Sequence, residues 1–357
     1  MENCERKEGR RTRHIRARSG MYYDTYRGRR QDGRRRRRRR RSCLGWLAGA
    51  FVRLLIFVLV LAVLAAGALY ILPVSFLNIE SPGSYLALNP SLPGDRVNIL
   101  LMGLDYMEDG HQRSDSMIIA SVGKDSVRLA SILRDTRVEI PERGANKINA
   151  AYAMGGAEMS MRVVNETFGM NITNYVAIDL KTLVDLVDAV GGIDIEVEEK
   201  ELEQLNKYAY NTYKKISADN PGKYAHYASS QPITQAGNLH LNGLFATSFS
   251  RIRKVGYDYA RTARQQEVIQ AVLKEIRAQI ADPRLYVKLF EVYNESVQTN
   301  LALPELISLG EKILMAGEFE TDRFPREANR YDNGSSIEIT NAEANREDMR
   351  SFLYAGS

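Results

Sequence analysis

The chain has 357 residues, 44% of them apolar, and a net charge of +5. That apolar share supports a folded core and excludes disorder throughout. The charge is uneven: residues 1–43 hold eighteen Arg or Lys against five Asp or Glu, a net +13, which leaves −8 for residues 44–357 and excludes a basic nucleic-acid-binding surface on the folded bulk.

Arg34–Arg41 is an unbroken run of eight arginines. Such a run cannot be buried and repels itself, so residues 1–43 read as a solvated, disordered tail. Leu54–Leu72 follows with nineteen uncharged residues, and Leu44–Val52 extends it past Arg53. As a helix the nineteen span roughly 28 Å, close to the hydrocarbon thickness of a bilayer. Trp46 and Tyr70 sit near the two ends, where amphipathic rings prefer to lie. A cleaved signal peptide has a shorter apolar core behind a compact basic start. Residues 44–72 therefore read as an uncleaved transmembrane signal anchor. The positive-inside rule puts the Arg tail in the cytoplasm and residues 73–357 outside the cell membrane. Both cysteines, Cys4 and Cys43, then lie on the cytoplasmic side, and the exported part is held by its core without disulfides. The arginine run sets topology and attracts anionic lipids, at about 1 kcal/mol per basic residue near the surface. Nucleic-acid binding by the tail is the rival reading.

Residues 73–95 contain Pro73, Pro82, Pro90 and Pro93 and read as a stiff, irregular spacer. Strands are predicted at Val97–Met102, Met117–Val122 and Val127–Leu133. A helix over Ala157–Phe168 stops at Gly169. Tyr175–Ile178 reads as a strand, Asp179 as the cap of a helix reaching Val190, and Ile193–Val197 as a further strand. Residues 200–237 are polar and Tyr-rich, read as a helix fragment and a long loop flanking a cleft. A long helix over Tyr259–Ile280 ends before Pro283, followed by helices near Arg284–Tyr293 and Leu303–Met315. Asp322–Ser336 is polar, and Glu343–Leu353 closes the chain as a helix. Strands alternating with helices predict an α/β fold with a central mixed sheet. The exported domain spans 96–357, with a core over 96–280 and a helical part over 281–357.

No nucleophile elbow, metalloprotease helix, Walker loop or dinucleotide fingerprint occurs. His14, His111, His226 and His240 are scattered without metal-ligand spacing. Asp and Arg at strand ends stand out instead. Asp105 follows the first strand and Asp115 precedes the second, so a hairpin brings the two carboxylates together. Such a pair suits Mg²⁺, or Mn²⁺, with substrate phosphate oxygens completing the shell; ordinary turn chemistry also places Asp there. Arg134-Asp135-Thr136-Arg137 ends the third strand, as a phosphate clamp or a plain surface pair. Arg251, Arg253, Arg261 and Arg264 gather near one helix start, with Lys254 and Asp258 among them. They form an anion site or a solvated charged face.

In combination these segments resemble the LytR–CpsA–Psr family of cell-envelope phosphotransferases. The matching stretches are Asn98–Asp105, Arg113–Met117, Ser131–Thr136, Lys147–Tyr152 with Gly155-Gly156, Leu186–Gly192, Leu241–Gly243, and Arg251-Ile252-Arg253 followed by Asp258, Arg261 and Arg264–Gln266. The resemblance implies an α/β/α sandwich with a deep apolar pocket for a polyprenyl chain. It implies transfer of a glycopolymer, such as teichoic acid or capsular polysaccharide, from a polyprenyl-pyrophosphate carrier to peptidoglycan, usually the 6-hydroxyl of N-acetylmuramic acid. It implies Asp105 and Asp115 as Mg²⁺ ligands. Arg113, Arg134, Arg251, Arg253, Arg261 and Arg264 correspond to the pyrophosphate-binding arginines, Asp258 belongs to the site, and Asp135 and Lys147 lie beside it. Asp115 or Asp135 is the general base. Leu133, Asn242 and Phe249 depart from the family's usual Pro, Asp and Tyr. Val163, Leu183, Val184 and Val187 line the lipid pocket or the ordinary core. A non-catalytic scaffold binding lipid-linked glycan and a transcriptional attenuator are the rival functions.

Overall fold

The strands predicted at Val97–Met102 and Met117–Val122 are apolar at nearly every position, the pattern of strands covered on both faces. The computed structural model describes residues 85–106, 112–255, 257–316 and 318–355, without the side chains of residues 219, 257–259 and 318. The expected tail (1–43), signal anchor (44–72) and residues 73–84 of the spacer lie outside the described residues. Among the described residues, no helix is long and apolar enough to cross a membrane.

In chain order the elements are β1 (Val97–Tyr106), β2 (Gln112–Val122), β3 (Ser126–Ile132), β4 (Arg137–Ile140), β5 (Gly144–Lys147), α1 (Ala150–Phe168), β6 (Asn174–Asp179) and α2 (Leu180–Ala189). Then come β7 (Ile193–Val197), α3 (Leu202–Asp219), β8 (Gly237–Leu241), α4 (Gly243–Phe249), α5 (Tyr257–Ala278) and α6 (Pro283–Ser296). The chain closes with β9 (Gln298–Thr299), α7 (Leu303–Met315), β10 (Glu318–Phe324), β11 (Arg330–Asp332), β12 (Ile337–Ile339) and α8 (Ala342–Leu353).

The central sheet has the order β10-β3-β2-β1-β6-β9. It is mixed: β1–β2, β2–β3 and β6–β9 are antiparallel, whereas β1–β6 and β3–β10 are parallel. Leu100, Met102, Met117 and Ile119 pack on one face with Phe168 of α1 and Met349 of α8. Ile99, Ile118 and Ala120 point the other way, toward Leu309 of α7 and Leu301 just before it. Helices on both faces give the expected α/β/α sandwich. A further apolar cluster joins the antiparallel β7–β8 pair to α2, α3, α4 and α5 through Ile195, Val187, Leu205, Leu244 and Val268.

Four local features differ from the sequence reading. The segment expected to be a spacer is irregular from Tyr85 on, yet it is packed: Leu86 and Leu92 are buried in the α1-side core. Asn89 Nδ2 donates to Gly169 O, and Asn165 Nδ2 to Leu86 O, each at 2.9 Å. Leucines among the prolines supply burial that a solvated linker lacks. Second, the helix expected from Ala157 begins at Ala150 and breaks at Gly155-Gly156, where Gly156 takes a φ of 66°, cheap for glycine alone.

Third, residues 202–219 are one long helix. Its buried stripe of Leu205, Ala209, Thr212 and Ile216 has helical spacing, but Thr and the intervening tyrosines mask it in a hydropathy reading. Fourth, residues 281–357 are more than helical: they supply both edges of the central sheet, β9 and β10. β10 hides among charges because Phe319 and Phe324 pack on opposite faces while Glu320 pairs with Arg128 at 3.2 Å.

Candidate active site

β1 and β2 form the expected hairpin, but its register slips near the loop. Gly103 pairs with Ser116, whereas Leu104 pairs with Ser114. Asp115 is the extra residue of this bulge, a device that bends a strand and re-aims a side chain. Arg134 Nη1 and Arg253 Nη2 each donate to Asp115 Oδ2 at 2.9 Å. Asn149 Nδ2 donates to Oδ1 at 3.3 Å, and Arg261 Nη2 to the Asp115 main-chain oxygen at 3.3 Å. The end of β3, the turn before α1, the segment after α4 and the start of α5 thus meet at one carboxylate.

Burial pushes the Asp115 carboxyl up, but the charges of Arg134, Arg253 and Arg261 outweigh it and hold the group below the usual carboxylate range. A lowered folded value means that the ionised form stabilises the fold. That contribution is complete above the unfolded carboxylate range, about pH 4, and is lost as pH falls through the folded value. Asp115→Asn is expected to flatten the decline in stability below about pH 4, read from urea midpoints across an acid series; an unchanged decline contradicts the pairing.

Two satellites flank this centre. At the end of β1, Asp105 Oδ1 accepts from Lys215 Nζ at 2.7 Å, and Arg251 Nη2 lies 3.6 Å from Oδ2. Arg251 Nη1 donates to the buried Thr212 Oγ1 at 2.8 Å, and the guanidinium lies 5.8 Å from the Tyr208 ring centroid. Burial lowers the Arg251 pKa, opposed by Asp105. On the other flank, Asp135 Oδ1 accepts from Lys147 Nζ at 2.7 Å, and Arg134 Nε lies 3.5 Å from Oδ2.

A cavity of about 490 Å³ leads inward, lined by Leu101, Ile118, Val176, Leu183, Leu186 and Ile269. Asp105, Asp115, Arg251, Arg253 and Arg261 also line it, so a mostly apolar space carries a charged rim. Of the four residues weighed for a lipid pocket, Leu183 lines it; Val163, Val184 and Val187 are fully buried core. Arg253 and Arg261 are shared with a second cavity of about 660 Å³, lined by Arg134, Asp135, Thr262 and the Asp332–Ile337 turn.

Two expected site residues stand elsewhere. The three-residue spacing predicts Arg264 and Arg261 on one helix face. Three residues advance a helix by about 300°, which leaves roughly 60° between them. Both residues are 5% exposed, and the rotation between them decides their partners: Arg261 lines the cavities, whereas Arg264 is tied into the core. Its Nε donates to Glu201 Oε1 at 2.7 Å, its Nη1 to Ile252 O at 2.9 Å and its Nη2 to Val255 O at 2.8 Å. It lines neither cavity. Arg113 is exposed, faces Asp105 in the register and lines neither cavity; the bulge parts it from Asp115. The Asp258 side chain lies outside the described residues.

The sequence reading missed Asn149, Tyr208, Thr212, Lys215 and Gln265, whose Oε1 accepts from Ser116 Oγ at 2.9 Å. Asn149 and Gln265 sit inside the recognised stretches, whereas the other three lie on α3. Asp105 and Asp115 both line one cavity, and carboxylates are the ligand type that a hard divalent cation takes. Among the described residues no three of His, Cys, Asp and Glu gather as a metal cage. Any cation at this mouth therefore takes ligands from substrate or water as well.

A model of the LytR_cpsA_psr family matches residues 78–351. The chain belongs to this family. The polyisoprenyl-teichoic acid–peptidoglycan teichoic acid transferase TagU of Oceanobacillus iheyensis is 32% identical over 225 residues, 60% of this chain and 62% of TagU. The match thus spans less than two thirds of that relative. TagV of B. subtilis aligns with a TM-score of 0.53 and 26% identity, covering 73% of this chain and 97% of TagV. A TagT structure with bound octaprenyl pyrophosphate lipid aligns with a TM-score of 0.52 and 20% identity, over 73% of this chain and 89% of TagT; that likeness is one of fold.

The LytR_cpsA_psr departures are structurally mild. Asn242 caps α4 by accepting from Phe245 N at 3.1 Å, as an Asp would. Gly243 is required beside it, because a Cβ there would meet Val184 O at 2.2 Å. Phe249 lies under Arg264, 5.8 Å from ring centroid to guanidinium, where a hydroxyl is not needed.

Proposed function

We propose that the chain transfers a glycopolymer, teichoic acid or a related polymer, from a polyprenyl-pyrophosphate carrier to peptidoglycan, forming a phosphodiester. The observation that carries this reading is the apolar cavity rimmed by Arg251, Arg253 and Arg261. An apolar bore suits the polyprenyl chain and guanidinium forks suit a diphosphate. The name of TagU and the lipid in the TagT structure support the same reading. The domain works outside the cell membrane of a bacterium with a Gram-positive type of envelope, tethered by a single-pass anchor at 44–72 whose N-terminus is cytoplasmic.

In this mechanism Arg134, Arg251, Arg253 and Arg261 bind the diphosphate and offset negative charge that builds on the phosphorus and the leaving oxygen. Lys147 steadies Asp135 beside them. Asp105 and Asp115 would hold Mg²⁺ or Mn²⁺, which would add further neutralisation of the diphosphate. Asp135 is the proton acceptor, since Asp115 is the carboxylate on which Arg134 and Arg253 converge and which is given to the cation.

Leu183→Trp is the direct test. A ring filling the bore is expected to weaken octaprenyl pyrophosphate binding at least about tenfold, the loss of some 1.4 kcal/mol, with inorganic pyrophosphate binding unchanged. Octaprenyl pyrophosphate binding equal to wild type sinks the lipid assignment. Binding without turnover by the wild-type protein identifies a scaffold.

A further inference from the structure

We propose that the 660 Å³ cavity is the acceptor site, where a sugar of the wall polymer presents its hydroxyl and Asp135 takes the proton. This rests on the donor reading above. Three observations carry it.

The first is position. Arg253 and Arg261 line both cavities. A phosphorus gripped by these two residues is reachable from the second cavity while its lipid lies in the first. Displacement at phosphorus needs entering and leaving oxygens roughly in line, and in this proposal the two oxygens come from the two spaces that share the arginine pair.

The second is chemistry. The second cavity is more polar than the first: beside Leu133 and Ile337 it is lined by Asp135, Thr262, Asp332, Ser335 and Ser336. Carboxylates and hydroxyls are the partners of sugar hydroxyls, and the volume lies within the range of about 300–1,000 Å³ usual for small-ligand pockets.

The third is rigidity. The turn is fastened to the residue given the proton: Ile337 N donates to Asp135 O at 2.9 Å. Within the turn, Asp332 Oδ1 accepts from Gly334 N at 2.8 Å, and Asn333 Oδ1 from Ser335 N at 3.0 Å and Ser336 N at 2.7 Å. The Asp135 carboxylate is oriented by Lys147 at 2.7 Å. The cavity wall and the proton acceptor are thus one fixed unit.

In the step so defined, the acceptor hydroxyl oxygen bonds to the sugar-side phosphorus. The bond from that phosphorus to the bridging oxygen breaks, and its electron pair leaves on polyprenyl phosphate. The hydroxyl proton passes to Asp135.

The test uses the full chain in detergent, a disaccharide linked to octaprenyl pyrophosphate as donor and a soluble peptidoglycan oligosaccharide as acceptor. Ser335 is exposed, so Ser335→Trp narrows the cavity without burying new surface in the core. It is expected to raise the acceptor KM at least about tenfold while kcat and the Kd for octaprenyl pyrophosphate stay within about twofold. Asp135→Asn is expected to lower kcat by about 100-fold, with the acceptor KM and the Kd for octaprenyl pyrophosphate near wild type. An unchanged acceptor KM in Ser335→Trp overturns the proposal, as does wild-type kcat in Asp135→Asn. A raised donor Kd in Ser335→Trp assigns the cavity to the donor and also overturns it. Wild-type protein that fails to bind octaprenyl pyrophosphate overturns the donor reading instead, a result that needs no acceptor to see.

Discussion

Arg251→Ala combined with Arg253→Ala is expected to lower transfer by about 10³-fold, with the chain still folded. Each guanidinium lines the apolar cavity at its charged rim. Removing one donor aimed at developing charge typically costs about 10²–10³-fold, and neighbouring donors combine less than additively. The fold survives because no partner is stranded: the buried Thr212 Oγ1 keeps its bond from Ser248 Oγ at 3.1 Å. Asp105 keeps Lys215 at 2.7 Å, and Asp115 keeps Arg134 at 2.9 Å and Asn149 at 3.3 Å. Turnover with a lipid-linked donor and a thermal melt, measured on the same preparation, check both halves. Wild-type turnover removes these arginines from the mechanism; a collapsed melt makes them structural.

Arg264→Ala is expected to do the reverse. Arg264 and Glu201 lie 2.7 Å apart with side chains 7% and 6% exposed. Removing one partner of such a pair leaves a buried uncompensated charge and costs about 3–5 kcal/mol. At about 2–4 °C per kcal/mol for a domain of 150–250 residues, the midpoint should fall by roughly 10 °C. Glu201→Leu with Arg264→Met should recover most of that loss, because an apolar pair removes the stranded charge. Activity well below the midpoint should stay near wild type. An unchanged midpoint with lost transfer would return Arg264 to the diphosphate site.

The contrast between Arg261 and Arg264 marks where the sequence stops being informative. Strands β1, β2 and β3 were legible because both their faces are apolar, and α2 because Asp179 announces its start. Which arginine faces a cavity and which enters the core depends on a helix rotation fixed by distant partners, Glu201 and the Ile252 and Val255 carbonyls. The bulge at Asp115 is equally silent: Arg113-Ser114-Asp115 reads as plain alternation, and only the pairing with β1 reveals the extra residue. Lys215 and Thr212 reach the site from a helix whose buried stripe is partly polar. The Asp332–Ile337 turn reads as a loop, and its contact with Asp135 spans some two hundred residues of chain.

The central claim is that one mouth grips a diphosphate whose lipid fills the bore behind it. Mass spectrometry of lipid co-purified with the full chain from membranes tests it most directly. A polyprenyl phosphate or pyrophosphate near one per chain, depleted in Leu183→Trp, is the predicted result. Protein that carries no such lipid and takes up none when offered octaprenyl pyrophosphate contradicts the claim.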